Sequence, residues 1–231
     1  GNFPGQFPVT EAFGLPMIGI QNVEMGSLAM WDLYQNTDYM QEEYKDVHVL
    51  CLHTQLDVPI GLKSKKVETL EDLKGLQLRT SSGPALDYVR EIGATPVSLP
   101  APDIYTSLEK GVVDGCLISW HGFDSFKLAE QCDYILDAKV NVATFWTVMN
   151  QDKWDSLPED VKKVFSECSG EQAIREMSPG YDSIRAAVEK QAEESNCVIY
   201  PLSDSQREIW QEKAKTVVEN YAEKLDEEGL P

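Results

Sequence analysis

Histidine is scarce in this chain, three residues in 231, and basic side chains number 20 against 39 acidic ones. The formal charge of −19 opposes contact with phosphate backbones and with anionic lipid surfaces, so nucleic acid and direct membrane insertion are set aside as partners. Long apolar runs are missing as well: nothing approaches the roughly 18 consecutive apolar residues of a spanning helix, and the opening GNFPGQFPVT lacks the basic and apolar regions of a secretory leader. The five cysteines (Cys51, Cys116, Cys132, Cys168 and Cys197) are odd in number and scattered. They show no Cys-x-x-Cys or Cys/His spacing, which argues against a disulfide framework or a structural metal and leaves at most one exported pair, unassigned. There is no G-x-G-x-x-G after a strand, no phosphate loop, no G-x-S-x-G elbow and no H-E-x-x-H. These absences weigh against an enzyme without excluding one.

What is present is a 42% hydrophobic composition, ample for a core, and from residue 46 a recurring alternation of short apolar run, turn and amphipathic stretch. Strands are expected at about 46–53, 58–63, 75–79, 95–99, 113–119, 133–136, 141–149 and 197–201, with helices filling most gaps. Such alternation argues for α/β architecture with largely parallel, helix-covered sheets. Thr69-x-x-Asp72, Ser156-x-x-Glu159 and Ser203-x-x-Gln206 have the form of N-caps or capping boxes, with Pro158 early in its helix. Trp210, Ala214, Val217, Val218, Tyr221 and Leu225 mark one face of a final packing helix that stops at Gly229. The helical stretch from 158 to about 195 should be kinked or interrupted at Ser178-Pro179-Gly180. The N-terminal strip, punctuated by prolines, reads as extended up to a helix at about 23–36.

Arg79 is the strongest site candidate. It ends the run Leu76-Gln77-Leu78, at the strand edge where open α/β sheets bind ligands, and the following helix starts at about Ser82-Gly83-Pro84. A guanidinium delivered there needs a counter-charge. Either an internal acid or a ligand carboxylate supplies it, and the residues alone leave both open. A second strand end, at 111–123, sends Leu117, Ile118, Ser119 and Trp120 toward the same edge. Phe145 and Trp146 lie mid-strand, one facing a core and the other free to wall a pocket. His53 shares a strand face with Cys51 and could bond a ligand or simply the backbone; with His121, these residues make an alternative as a Cys/His enzyme site. Asn150 is placed to cap the helix that follows it.

The segment TLEDLKGLQLRTSSGPALDYVREIGATPVSLPAPDIYTSLEKGVVDG (69–115) closely resembles the solute-binding proteins of tripartite ATP-independent periplasmic (TRAP) transporters, and FPVTEAFGLPM, EEYKDVHVLCLHT and VMNQDKWDSLPEDVKKVF extend the match over nearly the whole chain. The resemblance implies a two-lobed, periplasmic-binding-protein-like fold joined by crossing strands and a long helix. Residues 1–56 plus 145–195 would be the remainder of the first lobe with connecting elements, and 57–144 plus 196–231 the second. The first lobe is expected to be incomplete, because the family begins with a strand-helix portion not found before Gly1. The resemblance further implies capture of an organic acid without catalysis, cofactor or metal, and delivery to the membrane subunits of the transporter. It implies a periplasmic or extracellular location with the signal peptide removed, free or as a tethered lipoprotein. The arginine at the Arg79 position pairs with the ligand carboxylate in this family. Ser81, Ser119, Trp120, His53 and Phe145 are the accompanying binding candidates. Where sialic-acid and dicarboxylate binders tend to carry Glu-Asn-Pro after Asp-Gly, this chain has Leu117-Ile118-Ser119, and a second basic group is replaced by Asp57-Val58-Pro59-Ile60. Both departures favour a monocarboxylate with an apolar or aromatic body, such as a 2-oxo or aryl acid. An ABC-type or sensor-linked receptor of the same two-lobe plan is the alternative among binding proteins.

Overall fold

The computed structural model of the chain describes residues 6–81 and 83–230. Gly1 to Gly5 of the N-terminal strip, Ser82 at the expected opening of a helix, and Pro231 lie outside the described residues. The strands are β1 (Val47–Asp57), β2 (Ile60–Leu62), β3 (Gln77–Thr80), β4 (Thr95–Ser98), β5 (Gly115–Leu117), β6 (Tyr134–Asp137), β7 (Val142–Asn150) and β8 (Val198–Pro201). Each falls on a run whose apolar pattern predicts it; β1 runs on four residues past its expected end at 53. The helices are α1 (Pro8–Ala12), α2 (Val23–Asn36), α3 (Asp38–Glu43), α4 (Pro84–Glu91), α5 (Ile104–Glu109), α6 (Trp120–Phe126), α7 (Gln151–Asp155), α8 (Glu159–Glu167), α9 (Gly170–Glu194) and α10 (Asp204–Glu227). None is long and apolar enough to cross a membrane.

Two sheets result. β1 and β7 form an antiparallel ribbon, and the other six strands form a sheet in the order β4-β3-β5-β2-β6-β8. In the larger sheet β3 is parallel to both β4 and β5, and β6 is parallel to β8. The parallel rule is broken by β2, which is antiparallel to both neighbours. Parallel neighbours need a long connection, supplied between β3 and β4 by α4. β2 instead follows β1 directly through Val58 and Pro59.

The sheets are joined three times. The β1–β2 and β6–β7 passages run side by side, with Val58 N–H donating to the Asn141 carbonyl at 2.8 Å and Val140 N–H to the Val58 carbonyl at 3.0 Å. The third link is α9, which packs against α2 and β1 and also against α6 and β8. This is the two-lobed α/β plan expected from the sequence.

Several local expectations hold and three change. Ser203 accepts from Gln206 N–H, Asn150 accepts from Lys153 N–H, and Thr69 and Asp72 make a reciprocal capping box. Trp210, Ala214, Val217, Tyr221 and Leu225 are buried along α10, and Gly229 takes the left-handed conformation after it. The N-terminal strip is not wholly extended, because Pro8 opens the short α1, whose first amides are taken up by the Glu43 carboxylate. Ser156 does not cap α8; Pro158 precedes Glu159 there, and Ser156 closes α7. The break in the 158–195 stretch falls between α8 and α9 rather than at Pro179, which α9 carries in its interior. Proline removes one main-chain donor, and Ile174 and Val188, both fully buried, clamp the helix on either side of it. Gly170 begins α9 at φ +59°, and a Cβ there would stand 2.5 Å from the Trp31 ring. Only glycine suits that start.

The cores follow the sheets. One cluster packs α4 and α10 on the larger sheet around Leu73, Leu78, Tyr88 and Trp210; a second lies on its other side around Trp120, Phe123 and Ile135; a third seats Met30, Met40, Tyr44 and Leu52 against the ribbon. Burying one such aliphatic or aromatic side chain contributes about 1.5–3 kcal/mol.

Candidate functional site

A cavity of about 300 Å³ opens between the two sheets, at the C-terminal ends of the parallel strands β3 and β5. Arg79, Thr80 and Ser81 reach it from the end of β3, Pro84 and Ala85 from the first turn of α4, and Leu117, Ile118 and Ser119 from the end of β5. Gln55 on β1 and Val142 to Phe145 on β7 close the opposite wall. The local sequence explains the placement. β3 is short and apolar before Arg79, and Gly83 at φ +76° turns the chain so that Pro84 can begin α4 facing the cavity.

Arg79 is 4% exposed. Its Nε and Nη2 donate to the Leu99 carbonyl at 3.0 and 2.8 Å, and Nη1 donates to the Leu117 carbonyl at 3.1 Å. A guanidinium has five N–H donors, so among the described residues two are without a partner, one on each terminal nitrogen. Among the described residues no carboxylate pairs with it. Burial lowers its pKa from the usual arginine value, with a small opposing influence from Cys116, yet an arginine remains cationic throughout the working range of a protein. The carbonyls fix the orientation of the fork but cannot neutralise it. An incoming carboxylate can.

Four of the expected site residues converge on this cavity: Arg79, Ser81, Ser119 and Phe145. Ser119 caps α6 and donates its hydroxyl to Gln55 Oε1 at 2.9 Å. Phe145 is 39% exposed, open on the cavity side. His53 lies behind it, with the two rings stacked at 5.6 Å, Nδ1 3.2 Å from the Thr54 carbonyl, and burial lowering its pKa. His53 therefore backs the wall instead of forming it. Trp120 is a correction: it is fully buried in the second core, with the Arg185 guanidinium 4.2 Å above its ring, and it lines no part of the cavity. The strand that was expected to run to 119 ends at Leu117, and the chain turns helical at Ser119. That turn sends residue 120 inward and brings His121 to the cavity.

Sequence reasoning passed over Glu11, Gln55, Phe126 and Asn141, all on the cavity wall. Gln55 carried a signal, being an amide toward the end of β1, where it is buried. The others come from segments distant in sequence and carried none. Of the residues in the enzyme alternative, His53 and His121 both lie beside the Tyr181 ring, at 6.3 and 6.4 Å. Cys51 bonds weakly to the Leu52 carbonyl, and burial pushes its thiol up to about 11, away from the thiolate form a nucleophile needs. Among the described residues no group of three His, Cys, Asp or Glu side chains could hold a metal ion.

Residues 2–225 match the model of the bacterial extracellular solute-binding protein family 7. The chain belongs to that family. A solute-binding protein of Albidiferax ferrireducens is 28% identical over 171 residues, 71% of this chain and 50% of its own length. The crystal structure of a TRAP solute-binding protein from Rhodoferax ferrireducens, in complex with copurified benzoate, superposes with a TM-score of 0.93 at 28% identity, covering 100% of this chain and 72% of that one. A marine metagenome TRAP solute-binding protein specific for aromatic acid ligands, in complex with metahydroxyphenylacetate, gives 0.92 at 26%, covering 100% and 73%. The family 7 chain thus spans about half the length of the curated relatives it matches.

Proposed function

We propose that this chain captures an aromatic or otherwise apolar-bodied monocarboxylate between its lobes and presents it, chemically unchanged, to the membrane subunits of a TRAP transporter at the periplasmic or extracellular face. Arg79 holds the carboxylate through its two remaining donors. Ser81 and Ser119 add polar contacts, and Phe145 with Phe126 supplies apolar wall to the ligand body. The observation that carries this reading is a buried guanidinium whose partners among the described residues are backbone carbonyls only, standing at the edge of a largely apolar cavity. Two further points support it. Besides Arg79, the described wall carries no arginine or lysine that could receive the second carboxylate of a dicarboxylate ligand. The structural relatives with benzoate and metahydroxyphenylacetate carry ligands of the proposed class.

Titration calorimetry and thermal-shift assays with benzoate, phenylacetate, 2-oxo acids, succinate and glucuronate test this. Stabilisation by aryl or 2-oxo monocarboxylates is expected. Stabilisation by succinate or glucuronate alone, or by no acid at all, would overturn the assignment.

A further inference from the structure

Three of the five cysteines, Cys116, Cys132 and Cys197, are buried in the same core, whereas Cys51 lies elsewhere and Cys168 is exposed. Cys116 on β5 stands directly opposite Gly61 on the antiparallel strand β2. Residues so paired project to the same face of a sheet, with Cβ positions about 4.5–5.5 Å apart. Gly61 has no side chain, and the Phe123 ring and the sulfur of Cys132 share that space: a Cβ built on Gly61 would lie 2.7 Å from Phe123 Cζ and 2.9 Å from Cys132 Sγ. The Cys132 thiol is therefore held on the Cys116 face, at the position of a cross-strand neighbour. Its backbone is fixed there too. Asp133 N–H donates to the Leu62 carbonyl at 3.0 Å, and Cys132 N–H closes the preceding turn on the Ala129 carbonyl. A disulfide requires Cβ atoms about 3.8 Å apart, and Gly61 sets no side chain of its own between the two cysteines, the rest of the space beside it being taken by the Phe123 ring.

The thiols differ in their surroundings. Contact with Cys116, ahead of burial, holds the Cys132 thiol well above the usual range, whereas Cys197 is pushed up to about 12 by burial and by Asp133. Cys116 is the thiol that hydrogen-bonds to Cys132, while Cys197 acts on it electrostatically.

We infer that Cys116 and Cys132 form a disulfide when the chain folds in the presence of a small-molecule disulfide such as oxidised glutathione. One protein thiolate attacks a sulfur of the oxidant, giving a mixed disulfide and releasing one small thiolate. The second protein thiolate attacks the protein-side sulfur of that bond, forming the Cys116–Cys132 link and releasing the second. The two protein thiols are oxidised, the small disulfide is reduced to two thiols, and these take up the two protons lost. The exchange takes place while the core is still open, because the folded chain buries both sulfurs. The link ties β5, whose Leu117 carbonyl receives Arg79, to the start of β6 across β2. It is independent of the ligand assigned to the cavity.

The test is refolding of the reduced full chain in oxidised and reduced glutathione, trapping of remaining thiols with an alkylating agent, digestion and mass mapping. A peptide cross-linked through Cys116 and Cys132, lighter by two hydrogens than its reduced halves, with Cys51, Cys168 and Cys197 alkylated, is expected. The same cross-link is expected in Cys197→Ser. Alkylation of both Cys116 and Cys132, pairing of either with another cysteine, or loss of the link in Cys197→Ser would overturn the inference.

Discussion

One edge of the Arg79 guanidinium grips a single acceptor, the Leu99 carbonyl, through both Nε and Nη2. The chelate aims the fork, Nη1 adds its bond to the Leu117 carbonyl, and one donor on each terminal nitrogen faces no partner among the described residues. Arg79→Lys keeps the charge and loses this geometry. Its affinity for an aryl monocarboxylate is expected to fall by about 30-fold or more, the range found when one member of a desolvated charge pair is altered. Isothermal titration reads it directly, and unchanged affinity would remove Arg79 from the site.

Phe145 and Trp120 separate binding from stability. Phe145→Ala removes a partly exposed wall, so aromatic ligand affinity should drop about tenfold while the urea midpoint stays close to that of the parent. Trp120→Ala empties a fully buried position and should cost about 3–5 kcal/mol in unfolding free energy. Denaturant melts together with ligand titration on both variants distinguish the two roles.

His53 sets a pH dependence of stability. Burial depresses its folded pKa, so the unfolded chain, titrating near about 6.5, takes up the proton first as pH falls. The contribution is present above that pH and lost below it, with a slope of at most about 1.4 kcal/mol per pH unit for one group. In His53→Phe, which retains the ring stacked on Phe145, unfolding free energy should fall less between pH 7 and 5 than in the parent. Parallel curves for the two proteins would contradict this.

Two glycines with positive φ predict unequal costs. Gly229→Ala meets no atom within 4 Å, so only backbone strain opposes it, about 1 kcal/mol. Gly170→Ala adds a collision with the Trp31 ring, and about 2–4 kcal/mol is expected at the start of α9. Thermal melts of the two variants provide the comparison.

The strands were legible because their apolar runs are short and bounded by turn residues, and α2 begins and ends where its pattern does. Pro179 misled because a local rule for proline competes with burial on both sides, and burial of Ile174 and Val188 prevails. Arg79 was legible as a charge at a strand end. Trp120 was misplaced because a period-two reading was carried two residues past Leu117, where β5 ends, although Ser119 caps a helix there. Glu11 and Asn141 were invisible, since only the side-by-side passages between the sheets bring residues so far apart in sequence to one wall.

Those two passages are laced together by the Val58 and Asn141 main chains, and the Asn141 amide also donates to the Gly14 carbonyl at 3.0 Å. A strap of two bonded strands flexes readily across its width but resists sliding of one strand along the other, because sliding would break every rung at once. The halves of the molecule can rock about this strap, while lengthwise slip, which would misalign the Arg79 fork and the Phe145 wall, is opposed.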